Sequence, residues 1–511
     1  MANFKHCISS SWKWASSYIR FSKAAIFISG LIFSKSFIEI GFKAFMISYI
    51  IDNLKNLSIG KVIVYTIAME GIQQSLAIYI YHLATDRLGD FLVIILTLPC
   101  LIFGLLILWL SSLLRSQQTR NQMLYIVLPV ILVGLAGMQV SQKGFLRQHF
   151  EEETIIVDKT KSERQQEEEY KDIVDGRASL WSNGASFLGQ FICWTFASSL
   201  SWKQTIMVSF IEVAAAYALF ICGKRFYLRI PPTRRTAVSR LKETRRLVKL
   251  IPLWLLFIPY CLVEVAAFSI FILQSDRLDT RINPRISLHS FNKVPVNSLY
   301  VFKQFISFLV SMLTKYLIRK LWSSEEAIQR GARYWRMGVG MAVGFGSLLS
   351  AWLVERRRSD LIKKNPNDDE DIPMTILWLA PQFGLLGIAN GLVLEGLTDF
   401  FCDRVPKSKQ YFEVLFNQSL VVIGSFLSGF VVLLAPDWFG DTIDKCQLDK
   451  YLLMLAILNV AVLPLYIFLS SRFDWNIPDE VDGRDIEIEE VDGSDVEILI
   501  EEGDGRDVEI L

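Results

Sequence analysis

The chain has 511 residues, of which 52% are hydrophobic, 13% aromatic and 21% charged, with a mean hydropathy of +0.35. That balance excludes an ordinary soluble enzyme and points to a polytopic membrane protein. Its 53 Lys and Arg against 52 Asp and Glu leave a net charge of +1, which excludes a strongly basic nucleic-acid binder.

The first 24 residues set Trp12, Trp14, Tyr18 and Phe21 among Lys5, Lys13, Arg20 and Lys23, with no small-residue cleavage site. They read as a cytoplasmic interfacial helix. A membrane span needs roughly 20 apolar residues, because in lipid each backbone amide must be satisfied within its own helix. About twelve stretches meet that need, near 25–53, 61–84, 90–114, 122–146, 179–201, 203–222, 249–273, 298–320, 333–354, 373–397, 411–435 and 449–471. The pattern predicts an N-terminal bundle of six helices over 25–222 and a C-terminal bundle of six over 249–473. Between them, residues 223–248 combine the helix-breaking Pro231-Pro232 with a high density of Lys and Arg, as a cytoplasmic linker does.

Counting Lys and Arg in alternate connections places about 32 on the N-terminal side and about 16 on the other, so both termini are expected in the cytoplasm. Arg356, Arg357 and Arg358 fall on the sparser side, offset by Asp360 and by Asp368 to Asp371 nearby. Residues 147–177 are dense in both signs of charge and read as a solvated loop. From 474 to 511 the sequence repeats an acidic unit, VDGRDIEI, VDGSDVEI and GDGRDVEI. Its composition favours disorder over a calcium loop, since D-x-D-x-D-G is absent. A protein partner of this tail is one expectation.

Seven cysteines without a C-x-x-C pair indicate neither a disulfide framework nor a zinc site, and no P-loop occurs. Nothing resembles a catalytic constellation, so no enzyme activity and no cofactor are expected.

Four motifs occur in order. ATDRLGDF spans 84–91, GFLRQHFEEE closes the fourth stretch, and FILQSDRLDTRI with VPVNSLYVF surrounds the seventh and eighth. The tenth reads WLAPQFGLLGIAN and then EGLTDFFCDRVP. Together they resemble the proton-coupled oligopeptide transporters in their plant nitrate and peptide transporter branch, within the major facilitator superfamily. The resemblance covers about Ile28 to Phe473. It implies a major facilitator fold, an all-α membrane protein of twelve transmembrane helices in two six-helix bundles. It also implies a small-molecule solute held near the midplane and a proton as coupling ion.

Charges inside lipid are costly, so those that remain usually face the interior. In the first span the family carries Glu-x-x-Glu-Arg; this chain has Ser36, Glu39 and Ile40 there. The family's fourth-span Lys aligns with Gln139, which cannot titrate. Glu39 is therefore either a remaining proton carrier or a local ion-pair partner of Lys43, four residues on. Glu264 stands in the seventh span where relatives place Tyr, or His in nitrate carriers, and an ionised Glu repels an anion. Lys303 in the eighth span is its expected partner by helix adjacency, and the pair is either structural or substrate-contacting. Asp399 replaces the family's tenth-span Glu, and Asn390 completes the expected substrate-binding set. Glu70, Gln73, Gln74 and His82 recur at helical spacing and are expected to line the interior.

These readings predict a secondary-active transporter of a small solute, a peptide, nitrate or an organic metabolite or hormone, with weakened or altered proton coupling. It would sit in the plasma or vacuolar membrane. The other reading is a non-transporting scaffold or sensor derived from a carrier, acting through its acidic tail or basic linker.

Overall fold

In the computed structural model, the residues described are 22–53, 58–153, 163–197, 200–227, 251–275, 277–280, 297–321, 326–364, 372–404, 412–440 and 443–472. The predicted interfacial helix, most of the basic linker and the acidic repeats lie outside them. The chain divides into two compact units, Met1–Ser471 and Arg472–Leu511, and the helical body is the first of these.

The helices are α1 (Lys23–Asn53), α2 (Ile59–Leu83), α3 (Asp90–Ser111), α4 (Gln117–Glu153), α5 (Glu163–Ala197) and α6 (Trp202–Cys222). After these come α7 (Ile251–Leu255 and Ile258–Leu273), α8 (Asn297–Leu321), α9 (Glu326–Lys364), α10 (Ala380–Arg404), α11 (Phe412–Leu434) and α12 (Leu448–Arg472). Ten of them are long and apolar enough to cross a membrane; α2 and α5 fall short. Their shortfall has a reason in packing. Helix α2 lies along α11, and the ring of Phe187 of α5 packs tilted against Phe305 of α8, 5.2 Å between centroids. Each helix thus turns part of its surface to other protein, and there it can carry polar residues that a lipid-facing surface excludes.

Local chemistry explains the joints. Helix α2 ends in a π-turn over Ala84–Leu88, and Gly89 follows at φ 78°, a value open to glycine without strain. Its N–H donates to Ala84 O at 2.7 Å, closing the turn of the ATDRLGDF motif. The charged stretch expected as a loop over 147–177 is instead helical at both ends, α4 continuing to Glu153 and α5 starting at Glu163. Glu, Gln, Lys and Arg are good helix formers. The Arg147–Glu151 pair at 3.1 Å closes one turn there, and Tyr170 Oη donates to Glu151 O.

One apolar core joins α1, α3, α4, α5 and α6, and a second joins α7 to α12 with the start of α2. The two ends of α2 thus differ in allegiance. Ile59, Ile63 and Ile67 belong to the second core, whereas Ala77, Ile80 and Tyr81 pack with Val93 of α3 and Ala136 and Val140 of α4. At that first end Ile59 N–H donates to Gly440 O at 3.3 Å, in the α11–α12 connection. A Cβ on Gly60 would meet Phe439 at 3.0 Å, so the connection sits directly on α2. Two short parallel strands, β1 (Leu278–Asp279) and β2 (Ile372–Thr375), tie the neighbouring connections together.

Candidate functional site

Tyr260 and Glu264 stand one turn apart on α7, so both reach the same side of that helix. The approach of α8 to α10 is set by glycines: a Cβ on Gly387 would lie 2.6 Å from Lys303 O, and one on Gly391 2.6 Å from Ser307 O. Larger residues would push α8 outward and carry Lys303 with it. Opposite, Tyr260 packs against Gly344 of α9, where a Cβ would meet its ring at 3.3 Å.

In the space so defined, Lys303 Nζ donates to Glu264 Oε1. Asn390 Nδ2 of α10 donates to the same oxygen at 2.9 Å, and Tyr260 Oη donates to Asn390 Oδ1. Lys303 is only 6% exposed and Asn390 4%, so the ammonium is removed from water and depends on the carboxylate for compensation. Its Nζ also lies 5.7 Å from the Tyr300 ring centroid, within cation–π range. Of the predicted residues, then, Glu264, Lys303 and Asn390 converge. Asp399 lies on α10 with its side chain outside the described set.

On the other side, Glu70, Gln73 and Gln74 are buried. A directed chain of amides runs among them: Gln73 Nε2 to Gln139 Oε1 at 3.1 Å, Gln139 Nε2 to Gln74 Oε1 at 2.7 Å, and Gln74 Nε2 to Glu70 Oε1 at 2.6 Å. Gln139 is thus held by α2 as a hydrogen-bonding group. His82 departs from expectation and is exposed. Glu39 pairs with Lys35, one turn before it, at 2.9 Å; Lys43, its expected partner, has its side chain outside the described set. Sequence reasoning passed over Glu212, which accepts a 2.8 Å hydrogen bond from Ser34 Oγ of α1. A lone carboxylate in an otherwise apolar α6 was the available signal.

A third polar cluster brings two of the sequence motifs together. Gln382 of the PQF segment donates to Gln274 Oε1 of the FILQSD segment at 3.0 Å, and Gln274 Nε2 donates to Glu355 Oε2 at 3.1 Å. Arg358 completes the cluster through Glu355 at 3.0 Å and 3.1 Å, with both side chains fully buried. Asp444 then takes Arg277 at 2.9 Å and lies 3.9 Å from Arg358. Arg356 and Arg357 stack over Trp352 and Trp378. All three arginines of this run are therefore occupied within the fold.

Motifs far apart in sequence thus share one hydrogen-bonded core, and residues 234–440 match the family model described as the POT family. This segment is similar to a POT family domain. The chain is 26% identical over 256 residues to Protein NRT1/PTR FAMILY 5.7 of Arabidopsis thaliana, a match covering 48% of this chain and 41% of that protein. It spans less than half the length of the curated relatives it matches. The crystal structure of an auto-inhibited POT family peptide transporter superposes with a TM-score of 0.67 at 12% identity, covering 90% of this chain and 99% of that one. A POT family transporter in complex with a thioalcohol-conjugated peptide gives 0.65 at 12% identity, over 88% and 96%. The fold is that of the major facilitator transporters, and the matched segment lies in a multi-pass integral membrane protein.

Proposed function

We propose that the protein is a secondary-active transporter that moves a small solute by alternating access, with Glu264, Lys303 and Asn390 at its substrate site and Asp399 on the same α10. The observation that carries this reading is the buried Lys303–Glu264–Asn390 cluster, assembled from α7, α8 and α10. Charged groups are kept inside a membrane protein at a cost and mark solute or ion pathways. Support comes also from the solved relative that holds a peptide conjugate.

The same reading includes altered proton coupling. Gln73, Gln74 and Gln139 form a hydrogen-bonded chain that cannot take up a proton near neutral pH. Ser36 and Ile40 are likewise non-titrating. Glu39 as a proton carrier is part of the proposal, with Lys35 paired to it at 2.9 Å. Uptake into proteoliposomes, with and without an imposed pH gradient, tests both parts. Saturable uptake that Lys303→Ala reduces roughly tenfold or more, with a weak response to the gradient, is the expected result. A wild-type protein that moves no member of a panel of peptides, nitrate and organic solutes would leave the scaffold reading in its place.

A further inference from the structure

Glu212 stands ten residues from either end of α6, about 15 Å along the axis from each, so it lies at the middle depth of its span. It is partly buried, and on the same helix Ile211 and Leu219 are exposed as lipid-facing residues are. Its carboxyl group meets α1, where Ser34 Oγ donates to Oε2 at 2.8 Å. A hydroxyl inside a helix often returns its proton to the carbonyl one turn back, as Ser269 does to Val265 O and Thr66 to Val62 O. Ser34, fully buried, gives its single proton across to Glu212 instead.

No countercharge accompanies this contact. Among the described residues no Lys, Arg or His forms an ion pair with Glu212. On α1, Lys35 is taken by Glu39, and Lys23 and Lys43 stand eleven and nine residues from Ser34, about 13 Å or more along the axis. Helix α3 carries no charged residue but Asp90. That residue sits at the level of Phe220, whose ring lies 5.7 Å from that of Phe91, two turns from Glu212. Helix α5 brings the Cys193 thiol within electrostatic reach. On α6 itself, Tyr217 Oη donates away to Ile95 O at 3.4 Å.

One hydroxyl donor suits the carbonyl oxygen of a neutral acid. A carboxylate has about four acceptor sites to fill and, at this depth, a charge to offset. The acid is therefore the form that fits here, and the carboxylate fits only where water reaches it. Close packing of α1 denies that access. Gly189 of α5 lets α1 approach until a Cβ would fall on Phe33 O, and Gln142 of α4 donates to Leu31 O at 3.1 Å. The stretch around Ser34 is thus held by α4, α5 and α6 together. A group that keeps its proton in one arrangement and loses it in another biases the molecule between the two.

We infer that Glu212 is a proton-binding site, separate from the Lys303–Glu264 cluster. It carries a proton while α1 lies against α6. When α1 moves away, the O–H bond breaks, the electron pair stays on the carboxylate and the proton passes to the entering water.

Infrared spectroscopy of the purified full-length protein tests this near neutral pH, where a glutamate in water is ionised. A protonated-carboxyl C=O band should be present that Glu212→Gln removes. Ser34→Ala deletes the hydrogen bond to that carbonyl and should move the band to higher frequency. Cys193 supplies a second readout, because a Cβ on Gly41 of α1 would meet its Sγ at 3.3 Å. At alkaline pH, alkylation of Cys193 followed by mass spectrometry should be several-fold slower in Glu212→Gln, which cannot ionise and so keeps α1 seated. Loss of the negative charge alone would act in the other direction, by easing formation of the reactive thiolate. The inference is overturned by an unchanged carboxyl band in Glu212→Gln, by an unshifted band in Ser34→Ala, or by labelling that is equal or faster. Should Glu212→Gln not fold, the Ser34→Ala shift decides. None of these readouts needs a solute, so a protein that transports nothing would sink the transport reading alone.

Discussion

Gly387 and Lys303 are fitted to each other across α10 and α8: a Cβ on Gly387 would stand 2.6 Å from Lys303 O and 3.0 Å from Ile306 Cβ. The absence of a side chain on one helix therefore sets the position of a charge on the next. Gly387→Ala is expected to force α8 away, costing about 1 to 3 kcal/mol, and to weaken solute binding. Gly384→Ala, whose Cβ would come no nearer than 3.3 Å to the Phe302 ring and 3.7 Å to Ile306 Cδ1, should be milder. Thermal unfolding of both variants in detergent checks this, and equal losses would show that α8 adjusts freely.

The central ion pair predicts an asymmetry. Lys303→Met strands Glu264 and is expected to cost about 3 kcal/mol, the lower end of the usual range because Glu264 is 21% exposed. Glu264→Met with Lys303→Met removes both charges and should recover most of that loss. A double-mutant cycle on unfolding temperature measures the coupling. Additive losses would mean that the pair is screened by water.

Arg358 and Glu355 form the most deeply buried ion pair among the described residues, at 1% and 0% exposure. Arg358→Leu should therefore destabilise the protein by about 3 to 5 kcal/mol, even though Gln274 still donates to the Glu355 carboxylate. Near-normal stability of that variant would contradict the buried network.

Cys446 gives a native probe of the α11–α12 connection. Burial pushes its thiol up to about 11 from an ordinary 9.0. Since the thiolate is the reactive form, alkylation of the folded protein should keep accelerating to about pH 11, followed by mass spectrometry of the Cys446 peptide. A raised folded value also means that the unfolded chain loses its proton first. The contribution to stability is full below 9.0 and is lost as pH rises toward 11. Asp444→Asn, which removes the partner of Arg277, should raise the labelling rate at neutral pH several-fold. An unchanged rate would show that Asp444 does not hold the connection closed.

Much of this molecule was legible before folding was considered. Apolar stretches of membrane length located the helices, because lipid leaves the backbone no other partner. The cost of charge in lipid singled out Glu264 and Lys303, and helix adjacency was enough to pair them. Other features were not legible. The charged 147–177 segment looked like a loop because charge density does not distinguish a solvated loop from a solvated helix. Arg358 read as one of a run of connection charges offset by Asp360 and Asp368 to Asp371, whereas its partners are Glu355 of its own helix and Asp444 of a distant connection.

The sequence by itself determined that the long apolar stretches must be helices and that Glu264 and Lys303 lie among them, since both follow from the energetics of one chain against water and lipid. Only the tertiary structure decided the partners: Asn390 joining Glu264, Gln139 entering the amides of α2, and Gln382 meeting Gln274. Those contacts depend on how closely helices approach, and glycines such as Gly387 set that distance by what they lack. No residue pattern read along one helix carries the spacing to another.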